Sequence, residues 1–112
     1  MPRKALEVPH EVDYLAILDK DGKVDKDLEP DLDDEFLLDL HRYMLTGRRF
    51  DERMLKLQRQ GRIGTFAPIK GQEAANIGTV AALRPSDWMV VAFREAAGEL
   101  MRGRSMEDML LY

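Results

Sequence analysis

Between residues 33 and 60 the apolar positions recur at helical intervals. Phe36, Leu40, Tyr43, Gly47, Phe50, Met54 and Leu57 are spaced 4-3-4-3-4-3. That spacing places them on one stripe of a long helix. Pro30 and the acids Asp31, Asp33, Asp34 and Glu35 mark its start, because carboxylates favour the positive end of a helix. Gly61 marks its stop. The stripe reads as core packing, and Gly47 within it lets another backbone come close.

The pattern changes on either side of this helix. Residues 1–12 contain Pro2 and Pro9 and no periodicity, so a loose arm is expected there. Tyr14 to Leu18 is a short apolar run, followed by Asp21-Gly22 and Val24, which predicts a small hairpin over about 14–25. Downstream, Arg62 to Lys70 is a connector containing Gly64 and Pro68, yet Ile63, Phe66 and Ile69 are too apolar for an idle surface loop. Gly71 opens a second helical segment that ends near Leu83. Its small residues Ala74, Ala75, Gly78, Ala81 and Ala82 suit close packing at a buried position inside a larger protein. Arg84-Pro85-Ser86-Asp87 is a turn.

Trp88 to Phe93 is a continuous apolar run of strand length. Such runs suit a strand covered on both faces, as in a parallel sheet. Arg94 onward reads as helix closed by Gly103, and Ser105 with Asp108 reads as a further helix start. The chain stops at Met109-Leu110-Leu111-Tyr112, inside an apolar helical pattern. One covered strand cannot form a sheet by itself. The expected architecture is therefore the N-terminal part of a longer α/β protein, mostly helical in this stretch, with one buried strand and an N-terminal hairpin. Residues 1–30 form an acidic arm and residues 31–112 begin the larger domain.

Composition narrows the possible chemistry. The absence of cysteine removes disulfides, thiolate metal sites and thiol nucleophiles. His10 and His41 are the only histidines, which disfavours a multi-histidine metal site. The longest apolar run has six residues, Trp88 to Phe93, against the roughly twenty of a membrane span. The N-terminus has no apolar signal core. A cytoplasmic protein with no membrane association is expected. Residues 1–40 carry 5 Lys+Arg and 13 Asp+Glu, net −8, whereas residues 41–112 carry 12 and 8, net +4. Overall acidity makes nucleic acid a poor partner. The Asp19 to Pro30 stretch imitates a calcium loop but places Val24 where glycine is needed and Lys23 and Pro30 where oxygen ligands are needed, so it reads as a solvated turn.

No nucleophile–histidine–carboxylate set can be assembled. Arg48, Arg49, Arg53, Lys56, Arg59 and Arg62 scatter around the long helix and read as a solvated face. The Phe93-Arg94 junction is more pointed. Ligands of open α/β sheets bind beyond the carboxyl ends of strands, helix N-termini offer N–H groups to anions, and arginine adds a forked donor suited to phosphate. The plain alternative is a surface arginine paired with Glu95 or Glu99.

The ordered set Gly61-Arg62-Ile63-Gly64-Thr65-Phe66, Gly71-Gln72-Glu73-Ala74, the apolar run and Arg94-Glu95-Ala96 resembles the alpha subunits of thiamin-diphosphate-dependent 2-oxoacid dehydrogenases, nearest to the bacterial heteromeric pyruvate type. Tyr43-Met44 with Arg48 to Asp51 resembles that family's long helix, and residues 14–25 resemble an N-terminal hairpin of several bacterial members. The resemblance spans about residues 14–112.

It implies a thiamin-diphosphate-binding doubly wound fold and oxidative decarboxylation of a 2-oxoacid, with acyl transfer to a lipoyl group on a second component. It also implies a heterotetramer with a beta subunit that supplies the glutamate activating the thiamin ring. Branched-chain 2-oxoacids and acetoin stay open as substrates beside pyruvate. A Tyr-Arg pair contacts the cofactor diphosphate in the family. Here the pair is Phe93-Arg94, so Arg94 carries that role by charge and Phe93 lacks the hydroxyl. Phe66 and Ala67 fall where the family lines the active-site entrance, and Ala67 replaces a histidine found in some members. The magnesium motif, Gly-Asp-Gly followed by Asn, would lie beyond Tyr112. The competing class is a small helical self-association module without catalysis, using the 33–60 helix.

Overall fold

The structure is a computed structural model and describes residues 13–111. The arm expected over residues 1–12 lies outside the described residues. The chain divides between Asp31 and Leu32 into two compact units.

In the first unit, Leu18 pairs antiparallel with Val24 in a single bridge. Asp25 N–H donates to the Ile17 carbonyl at 2.8 Å and Asp19 N–H to the Lys23 carbonyl at 2.9 Å. Gly22 supplies the left-handed residue of the turn, with φ 79°. The Asp19 carboxylate accepts from the backbone N–H groups of Asp21 and Lys23, both at 2.8 Å. The predicted hairpin is thus a closed turn with one rung rather than a ribbon.

The second unit is helical. Helix α1 spans Asp34–Arg59 and is capped by Asp33, whose carboxylate accepts from Phe36 N–H at 2.7 Å. It stops where Gly61 turns left-handed, with φ 67°. Helix α2 spans Glu73–Ala81, α3 spans Ala96–Met101 and α4 spans Met106–Leu110. Helices α1, α2 and α3 pack on one another. Ser105 caps α4 by accepting from Asp108 N–H at 3.0 Å, and its hydroxyl donates to the Asp108 carboxylate at 2.7 Å.

Among the described residues, two apolar clusters form the core. Phe50, Met54 and Leu57 meet Ile63, Phe66, Leu100 and Met109. Ile69, Ile77 and Ala97 meet Leu40, Met44, Ala96 and Met101. The connector therefore folds onto the core through Ile63, Phe66 and Ile69, as its composition predicts. Gly47 lies where α1 crosses α3: a Cβ on it would stand 2.7 Å from the Ala97 Cβ.

Over Trp88–Phe93, where a buried strand is expected, the described residues carry no strand, and the segment runs irregularly with Trp88 and Val90 each 92% exposed and Phe93 70% exposed. A strand's N–H and C=O groups need a neighbouring strand, and none lies beside it among the described residues. The small residues of α2, expected to pack closely inside a larger protein, are exposed here at Ala74, Ala75 and Gly78, as is the C-cap Ala82, while Ile77 and Val80 enter the core. With so little side-chain area, that face gains least from burial.

Candidate functional site

The connector between α1 and α2 is held by charged side chains. Asp51 lies on the buried stripe of α1, one turn after Gly47, and is 1% exposed. Its carboxylate accepts from Ile69 N–H at 2.7 Å. One turn from it, Arg48 Nε donates to Glu73 Oε1 at 2.5 Å. The same Glu73 carboxylate accepts from Gly71 N–H, at 3.0 and 3.2 Å to its two oxygens. Gly71 needs φ 93°, a left-handed conformation natural to glycine. The Arg48 hydrogen bond, helped by backbone N–H donors and opposed by burial, lowers the Glu73 carboxyl to about 2. At the exposed edge, Lys70 pairs with Glu52 at 3.2 Å and lowers its pKa.

Arg94 reaches the same connector from the other side. Its Nη1 donates to the Pro68 carbonyl. The half-buried guanidinium stands over the Phe93 ring, 5.4 Å from the centroid, within cation–π range. The structure thus brings Arg94 onto the chain segment that carries Phe66 and Ala67. Phe66 is half-buried against Phe50, Met54 and Leu57. Ala67 is half-buried as well, whereas Phe93 is exposed.

Whether this junction suits a diphosphate depends on its donors. The guanidinium has five N–H groups, and Pro68 engages one nitrogen. Its remaining N–H donors are of the charged, forked kind that phosphate oxygens accept from. The backbone amides are already engaged. Glu95 accepts from Ala92 N–H at 3.0 Å and from Arg94 N–H at 2.9 Å. The helix start expected to attract an anion therefore already carries a carboxylate, and α3 has only 6 residues. Among the described residues there is no cluster of three or more His, Asp or Glu side chains able to hold a metal ion. Two clefts, of about 450 and 330 Å3, lie along residues 85–104 and between α2 and residues 89–95, and neither is lined by Phe93 or Arg94.

The clamp formed by Asp51 and by Arg48 with Glu73 escapes a reading by residue type. Arg48 is found in a helix-to-helix ion pair rather than on a solvated face. The available signal was positional: Asp51 falls four residues after Gly47 and three before Met54, on the buried stripe.

The sequence model of the family described as dehydrogenase E1 component matches residues 41–112. Among curated relatives, a pyruvate dehydrogenase E1 component subunit alpha of Acholeplasma laidlawii is 44% identical over 95 residues, covering 84% of this chain and 28% of that protein. The subunit of the same name from Staphylococcus epidermidis is 36% identical over 107 residues, covering 95% of this chain and 29% of that protein. The one from Staphylococcus aureus is 36% identical over 101 residues, covering 89% and 27%. The chain thus spans less than a third of the length of these relatives. No solved structure gives a significant match.

Proposed function

The chain belongs to the dehydrogenase E1 component family, and on that premise we propose that it is the N-terminal portion of a pyruvate dehydrogenase alpha subunit. The observation that carries this reading is the 44% identity with the Acholeplasma laidlawii subunit across most of the chain. The whole enzyme decarboxylates a 2-oxoacid oxidatively and passes the acyl group to a lipoyl group on a second component. When bound, thiamin diphosphate supplies carbanion stabilisation for that reaction. This chain contributes the diphosphate end of the cofactor site. Arg94 binds the diphosphate, and Phe93 packs beside it. Phe66 and Ala67 line the substrate entrance. The magnesium ligands come from beyond residue 112, and the ring-activating glutamate from a beta subunit.

Residues 31–112 begin the thiamin-diphosphate-binding domain, with residues 1–30 as an acidic arm bearing the hairpin. In the whole subunit, Trp88–Phe93 becomes a covered strand of a doubly wound sheet. The exposure of Trp88, Val90 and Phe93 supports this, because an apolar segment of strand length is left without a neighbour. A cytoplasmic location is part of the same proposal; among the described residues no helix is long and apolar enough to cross a membrane. The test is to express the whole alpha subunit with its beta subunit and assay oxidative decarboxylation of pyruvate and of a branched-chain 2-oxoacid, and oxidative cleavage of acetoin, which has no carboxyl group to lose. Turnover of pyruvate above the others supports the reading; thiamin-diphosphate-independent or absent turnover of all three contradicts it.

A further inference from the structure

We infer that Asp51 and Glu73 are positioning residues: with Arg94 they clamp the main chain of residues 68–71 and so fix where Phe66 and Ala67 stand at the substrate entrance. The entrance part of this inference rests on the function proposed above. The clamp itself rests on geometry alone. Three charged side chains from three parts of the fold converge on one short loop. Arg94 takes the Pro68 carbonyl, Asp51 takes Ile69 N–H, and Glu73 takes Gly71 N–H. A fourth group, the Ile69 carbonyl, accepts from Gln72 N–H at 2.8 Å. No helix or sheet ladder satisfies these groups: side chains take the first three and a turn hydrogen bond takes the fourth.

The choice of residue at 51 is informative. A carboxylate on the buried face of α1 bears a desolvation penalty that an apolar side chain would avoid. What it gains is a charge-assisted bond to one particular amide, which fixes register rather than adding bulk stability. Glu73 is likewise 8% exposed and held by Arg48 from α1. The Ile69 side chain, 1% exposed, plugs the loop into the core between these two polar anchors. Phe66 and Ala67 lie immediately before the clamped segment. A shift of residues 68–71 therefore carries them with it. Arg94 has donors to spare beyond Pro68, so the group proposed to hold the diphosphate also ties the cofactor end of the site to the entrance.

Amide hydrogen exchange and steady-state kinetics on the whole enzyme test this. Asp51→Ala is expected to speed exchange of the Ile69 amide about 10- to 100-fold, with little change in the helical amides of α1. Asp51→Asn keeps an acceptor oxygen and should speed it less. The KM for the 2-oxoacid should rise in Asp51→Ala while the dissociation constant for thiamin diphosphate stays put. Unchanged Ile69 exchange, or a uniform rise across all core amides, overturns the clamp. A local rise with an unchanged KM overturns its role at the entrance. If Asp51→Ala does not assemble, Glu73→Ala, which removes the acceptor, is read at Gly71, where a local rise supports the clamp and no rise overturns it. A wild-type enzyme that fails to bind thiamin diphosphate contradicts the proposed function and leaves the exchange result standing.

Discussion

Arg48 Nε stands 2.5 Å from Glu73 Oε1, joining the middle of α1 to the first residue of α2. The pair sits at the rim of the core, with the Glu73 side chain 10% exposed and that of Arg48 36% exposed. It differs in kind from the exposed Lys26–Glu29 and Arg42–Asp39 pairs, which contribute little.

The sign of its pH dependence follows from Glu73. Its carboxyl titrates at about 2 in the folded chain, against an ordinary value of 4.5. The stabilisation is complete above the ordinary value and is lost as pH falls through about 2. In urea unfolding, the advantage of wild type over Glu73→Gln should therefore shrink steadily on acidification. An advantage that grows below the ordinary carboxylate range would contradict the pairing.

Gly47→Ala should destabilise by about 1–3 kcal/mol, because the added methyl meets Ala97 in a packed core. The contact distance of 2.7 Å leaves no room without moving α1 or α3. Combining it with Ala97→Gly should recover part of the loss, a non-additivity expected of touching residues. Denaturant midpoints of both single variants and the double variant decide this; strict additivity would mean that the two helices do not meet there.

Much of this fold is legible in the sequence because it is local. The stripe from Phe36 to Leu57, the Asp33 cap, the Gly61 stop and the Ser105 cap each depend on residues within a turn or two of one another. The apolar connector is legible for the same reason. The covered strand depends on more than its own residues, since its ladder requires a partner segment, and a run such as Trp88–Phe93 fixes hydrophobicity without fixing a neighbour. The clamp is hidden for a related reason. Arg48 and Glu73 are 25 residues apart, and Asp51 and Ile69 are 18 apart. Residue type at such separations does not say which charged groups meet.

The strand proposal makes its own prediction. In the whole subunit, amides of Met89 to Phe93 should be among the slowly exchanging ones, as core strands are. Here that segment has no assigned element and an exposed Trp88. Rapid exchange of these amides in the whole subunit would show that the run stays at the surface.

The role of Arg94 is tested by the conservative change as well as by truncation. Lysine supplies a point charge without the fork, so Arg94→Lys should recover only part of the cofactor affinity lost in Arg94→Ala. Phe93→Tyr should be tolerated, since the exposed ring leaves room for a hydroxyl. Full recovery by lysine would assign Arg94 a purely long-range electrostatic effect.

The most direct measurement is a titration of thiamin diphosphate, with magnesium, into the assembled enzyme and its Arg94→Ala variant, read by calorimetry. Losing a charged hydrogen bond to a phosphate costs about 1.5–3 kcal/mol, so the variant should bind roughly 10- to 100-fold more weakly. Turnover at saturating cofactor should change less, because a contact remote from the reacting carbon anchors ground and transition states alike. Equal dissociation constants for the two proteins would contradict the assignment of Arg94 to the diphosphate.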